Sequence, residues 1–183
     1  MARFAVAGFA LAAACAYACG GSRLDTKPVP TVASTTASSA ALDDIRDAWD
    51  RRANGADELR LKIERFLRQY PDDGATQLVH VYYAQLLLEQ KDLAAAEREL
   101  SFASSVPEGT TRNFFLVGQA RLLRLESRAM EGFEILRPLA GKIVDEQVFE
   151  LFQEEITLDA VAAHQDYEAI AYMDSWLRNA DED

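Results

Sequence analysis

The chain is predicted to be all-α, an α-solenoid of about four antiparallel helix pairs preceded by a signal peptide and a disordered linker. Three observations predict this. Beyond Leu42 apolar residues recur at spacings of three and four, with few strand signals. Turn-forming residues interrupt that pattern at a step of about 36 residues, the period of a repeat built from two helices and two turns. Proline and glycine sit mostly at the interruptions rather than inside the stripes.

Residues 1–18 read as an export signal. Met1, Ala2 and Arg3 make a short positive start, Phe4 to Ala14 is apolar without a break, and small residues follow. The apolar stretch of about 11 residues falls short of the roughly 20 that span a bilayer. "AYA" before Cys19 suits a signal-peptide cleavage site. The stretch "AYACGGS" resembles the lipobox of bacterial lipoproteins, whose cysteine becomes the mature N-terminus and carries acyl chains. The resemblance implies lipidation at Cys19, with Cys15 in "LAAAC" as the alternative anchor. An ordinary cleaved signal and an uncleaved anchor are the competing readings. Both cysteines of the chain lie here, so acylation leaves no disulfide and the domain must be held by its core alone. By the same resemblance, Gly20 stands where inner-membrane lipoproteins carry Asp, which points to the outer membrane.

Residues 19–40 form the lipid anchor and a flexible linker rich in Gly, Ser, Thr, Ala and Pro without an apolar period. As a coil, the linker would span roughly 25 Å.

Residues 41–183 carry the helices. Leu42, Ile45 and Trp49 make the first stripe, ended at Asn54-Gly55. Leu59, Ile63, Phe66, Leu67 and Tyr70 make the second, stopped by Pro71. Ala75 to Gln90 is apolar or aromatic on almost every side, the mark of a helix buried between neighbours. Leu93, Ala96, Leu100 and Ala103 follow, closed by "VPEG". Turns at Asn54-Gly55, Lys91-Asp92, Glu126-Ser127 and Gln165-Asp166 recur at the common step, as do Pro71 and Pro107.

Tyr83 to Pro107, "YAQLLLEQKDLAAAERELSFASSVP", resembles a tetratricopeptide (TPR) repeat. Ala84 takes the small position of the first helix and Leu87-Leu88 its large pair. Ala96, Leu100 and Ala103 take the small, large and small positions of the second, and Lys91 stands where Gly is usual. Phe114 to Leu139 is a looser copy with Gly118, Gly132, Leu136 and Leu139 at those positions, and Pro138 ending or kinking its second helix. His164 to Leu177 is similar to the turn and second helix of a third, and Glu58 to Ala75 to another second helix. "RFLRQYPDD" is similar to repeats of periplasmic lipoproteins in outer-membrane assembly. The alternative is an ordinary helical bundle with the same stripes.

The charge of −11 argues against nucleic acid, which is bound by basic side chains that displace counterions. It argues equally against spreading on an anionic membrane; its bland reading is solubility. The two histidines and the absence of HExxH, CxxC, Gly-x-Ser-x-Gly and phosphate-loop patterns leave no catalytic or metal-ligating set and no cofactor. His80, among Val79, Val81, Tyr82 and Tyr83, reads as a packing residue. Adjacent Glu154 and Glu155 point about 100° apart on a helix and read as a solvated face.

The TPR resemblance implies a protein-binding scaffold in the bacterial periplasm, tethered by its lipid and serving envelope biogenesis. The concave face would use Gln77, Gln85, Asn113 and Arg121. A subunit that assembles or self-associates through an apolar end at Trp176 and Leu177 is the second reading. A carboxylate-dependent hydrolase is a third, with no residues concentrated to support it.

Overall fold

The computed structural model describes residues 35–180. The signal peptide, both cysteines and the linker up to residue 34 lie outside the described residues. Within them the chain is all-helical, with no strand. Eight α-helices run α1 Thr36–Asp50, α2 Arg52–Gln69, α3 Thr76–Glu89, α4 Leu93–Phe102, α5 Thr110–Leu125, α6 Ala129–Leu136, α7 Glu146–Ala162 and α8 Asp166–Ala180.

Helix α1 starts before the linker boundary expected at residue 40. Thr35 and Ser38 form a reciprocal capping box, in which each side chain bonds the other's backbone N–H. That cap converts a Ser/Thr-rich stretch from linker into first turn. The chain then leaves α1 at Arg51, earlier than the expected turn at Asn54-Gly55. Gly55 instead breaks helical geometry inside α2.

Helices pack in sequential pairs, α1 on α2, α3 on α4, α5 on α6 and α7 on α8. Helices α3, α5 and α7 also contact one another in order, and the second helix of each pair touches the first helix of the next. One buried apolar cluster runs through all eight helices. The expected stripes of α1 to α4 supply it, Leu42, Ile45 and Trp49 from α1 and Leu59, Ile63 and Phe66 from α2 among them. Pro138 ends α6, and Arg137–Leu139 continues as a single 3-10 turn.

The last three pairs close with the same turn. Lys91, Ser127 and His164 all adopt positive φ, at 61°, 66° and 58°. In each turn the next residue's N–H reaches back five positions to a helix carbonyl: Asp92 to Leu87, Arg128 to Leu123 and Gln165 to Ala160, at 2.8–2.9 Å. This is the Schellman closure, in which glycine is usual at the left-handed position. None of the three is glycine, so each carries a steric cost that the turn's hydrogen bonds offset. Counted from these residues, Ala96, Gly132 and Ala169 occupy one register, and all three are buried.

Gly132 has the sharpest steric requirement. A Cβ there would lie 2.6 Å from Asp159 Oδ2 and 3.0 Å from the Ala120 carbonyl oxygen. Gly132→Ala is expected to destabilise the domain by about 1–3 kcal/mol, overriding its better helix propensity. Lys91→Gly and Ser127→Gly are expected to stabilise it by about 0.5–1 kcal/mol each, once glycine's larger entropy loss is set against the relieved strain. Urea unfolding of the three variants checks both signs.

Candidate functional site

The four side chains expected to line a concave binding face do not converge. Gln85 is fully buried in α3, with its amide against Gly118 of α5. It cannot meet a partner: the small residue opposite lets α5 approach until the amide is enclosed. Gln77 is half-buried and donates from Nε2 to Ser105 Oγ at 3.0 Å, beside a shallow cleft of Leu78, Val106 and Pro107. Asn113 is half-buried in the first turn of α5. The Arg121 guanidinium turns to Glu155, 3.9 Å away. Cys19 and Cys15 lie outside the described residues.

Helix α1 lies against the first helices of the later pairs. Trp49, 1% exposed, meets Tyr82 of α3 and Phe114 of α5 edge to face, with ring centroids 5.3 and 5.9 Å away. Tyr82 Oη donates to Gln147 Oε1 at 2.9 Å, and Gln147 Nε2 donates to Asp50 Oδ1 at 2.8 Å. Four helices, α1, α3, α5 and α7, thus meet through one tryptophan and one glutamine. The Arg52 guanidinium lies over the indole ring, 4.0 Å from its centroid, and pairs with Glu89 at 2.8 Å.

A buried charged cluster joins α5 to α7. Arg124 holds Glu155 with two bonds of 2.6 and 2.9 Å, and its Nε lies 3.5 Å from Asp159 Oδ1. Glu155 is therefore buried and ion-paired, not part of a solvated face; adjacent Glu154 remains half-exposed. Arg124 is held above its ordinary pKa, first by its hydrogen bonds to Glu155. Asp159 is enclosed by α6 at Gly132, and neither carboxyl oxygen has a hydrogen-bond partner. Burial, reinforced by the negative Glu155, pushes its pKa up to about 8 against the opposing pull of Arg124. His80 is a packing residue as expected, stacked on Phe102 at 4.9 Å with Nδ1 2.7 Å from Glu99 Oε2. Among the described residues, no cluster of His, Cys, Asp and Glu is placed to hold a metal, and no helix is long and apolar enough to cross a membrane.

The most conspicuous exposed feature is an apolar face on α7 and α8. Leu158 and Val161 of α7 are exposed beside Ile170, Met173, Trp176 and Leu177 of α8, with Ile170 at 58% and Leu177 at 61%. Trp176 and Leu177 were expected at an apolar end; Leu158, Val161, Ile170 and Met173 were not. Their signal lies in the repeat register. Counted from the left-handed turn residue, Ile170 and Met173 match Phe133 and Leu136 of α6, which are buried. In the preceding pair, α7 itself packs on α5 and α6. The α7/α8 face is the same seat, uncovered by any of the described residues.

The raised Asp159 pKa has a definite sign. In the unfolded chain an Asp loses its proton near pH 3.9; in the fold Asp159 keeps it to about 8. The folded state therefore holds the extra proton between these values, and stability falls as pH rises through that window. Asp159→Asn is expected to remove this dependence. It should raise stability near pH 9 by at least about 1.4 kcal/mol, the worth of one pKa unit, and change little near pH 4. Denaturant titrations across pH check it. The functional reading rests on this geometry: compared with known proteins, the chain matches no family model, no curated protein and no solved structure.

Proposed function

We propose that the chain is a membrane-tethered protein-binding scaffold of the bacterial periplasm, a TPR-like α-solenoid that presents the α7/α8 face to a protein partner in envelope biogenesis. It works by binding, without catalysis. The observation that carries this reading is the uncovered seat: a position that is covered by a helix one repeat earlier stands open at the last pair. Sequential pairing and the three matching turns support the solenoid. The end of α1 reaches across α3, α5 and α7 on the inner side that such a stack would offer, which favours the end face for binding. The leader supports the address, with residues 1–18 as signal peptide, Cys19 as lipid anchor and the outer membrane as destination. The same open seat favours, as a second reading, a subunit of a larger envelope complex.

Two measurements test the proposal. The N-terminal peptide of membrane-purified protein is expected to begin at Cys19 with acyl mass, and a chain lacking residues 1–22 is expected to stay helical but leave the membrane fraction. An unmodified N-terminus removes the anchor. In cells, a photo-crosslinking amino acid at Leu177 is expected to yield a discrete adduct with another protein that one at Leu61, exposed on α2, does not. Adducts at neither position, or the same adducts at both, overturn the scaffold reading.

A further inference from the structure

We infer that the α7/α8 seat takes an amphipathic helix with basic flanks from another protein; this rests on the scaffold reading and names the partner's chemistry. The internal junction is the template. There α7 sits on α5 and α6, burying Val148, Phe152 and Ile156. It brings the Glu155 carboxylate onto the cations Arg121 and Arg124 of α5, with the buried Asp159 carboxyl 3.5 Å from Arg124. In the same register α7 carries Leu158 and Val161 instead. An incoming helix patterned like α7 would thus set the equivalents of Glu155 and Asp159 against apolar side chains, at a desolvation cost with no ion pair to offset that of the carboxylate.

The rim of the seat has the opposite sign. Along α7, Glu150 and Glu154 continue the row of Leu158, four residues apart. Along α8, Asp166 and Asp174 lie on the row of Ile170. The row also holds one cation, Arg178, which donates from Nε to the Asp174 carbonyl 3.1 Å away and offsets one of the four charges. Four carboxylates thus frame the apolar stripe, and Lys or Arg on a partner complements them. A second copy of this chain does not. Its own α8 would place acid against acid, and its far end offers little apolar surface, Leu61 being the exposed large apolar residue of α2. The occupant is a helix because the seat's rows run along two antiparallel helices at the spacing that α7 fills one repeat earlier.

The test uses the purified full chain and three synthetic peptides of about 18 residues, long enough to form a helix on binding. One has a leucine stripe at three/four spacing with lysine flanks, one the same stripe with glutamate flanks, and one the lysine composition with the stripe scrambled. Trp176, 43% exposed, reports by fluorescence while Trp49 stays enclosed. The lysine-flanked stripe is expected to shift Trp176 emission saturably and to weaken with salt. The other two should bind at least roughly tenfold more weakly. Ile170→Glu with Met173→Glu should abolish the shift without moving thermal unfolding, since both residues are exposed. Glu154→Lys with Asp174→Lys should transfer the preference to the glutamate-flanked peptide. Equal binding of both flanked peptides, or binding of the scrambled one, overturns the inference. A concentration-dependent dimer by sedimentation that Ile170→Glu dissolves overturns it too, and assigns the seat to a second copy. Crosslinks at Leu177 without peptide binding defeat the basic-helix assignment alone; peptide binding without crosslinks in cells defeats the scaffold reading alone.

Discussion

Three rings hold the arrangement of this domain. Trp49, Tyr82 and Phe114 come from three helices and meet mutually edge to face, Tyr82 and Phe114 at 5.0 Å. Such pairs contribute about 0.5–1.5 kcal/mol each beyond their buried area. Their larger effect is positional. Sequential pairing alone fixes α3 to α8 by contacts between neighbours in the chain, and it leaves α1 with only α2. The rings draw the end of α1 across to α3 and α5, and the Asp50–Gln147–Tyr82 hydrogen bonds carry the contact on to α7.

The junction between α5 and α7 is made differently, with charge in place of aromatics. The Asp159 carboxyl oxygens have no hydrogen-bond partner and the residue is fully buried, which is expensive unless the group is neutral. Gly132, with no side chain, lets α6 close over it. Arg124 grips Glu155 with both ends of its fork. The polar groups here are matched to a particular incoming helix, so this junction discriminates between helices where the apolar contacts around it would accept many.

The stripes of α1 to α4, and the turns at Lys91 and Ser127, were legible because both are local. A stripe needs only helical spacing, and a Schellman turn needs only a break at the right step. Helix α7 was weakly legible: its buried Gln153, Glu155 and Asp159 blur the apolar stripe, since periodicity cannot tell a paired carboxylate from a solvated one. The start of α1 was missed because Ser/Thr-rich composition reads as linker, while the Thr35–Ser38 cap is a matter of geometry. Gln85 was read as a groove residue because polarity suggests exposure, whereas Gly118 opposite lets the helices close over its amide. The open seat was half legible. Trp176 and Leu177 stood out by size, but Leu158 and Val161 gain meaning only when set in register with Arg121 and Arg124, which requires knowing which helix packs on which.

The hydrogen bond from Gln147 to Asp50 joins residues 97 positions apart. A stack whose units touch only their neighbours can nucleate anywhere and fray from either end, with cooperativity that fades along its length. Here α1 is bonded to α7, so the contacts are not confined to neighbours. Opening α7 breaks this bond too, and leaves α1 held by its packing on α2 and by the rings of α3 and α5. The α1–α7 bond also raises the mean sequence separation of contacts, which slows the final step of folding relative to an open array of the same helices.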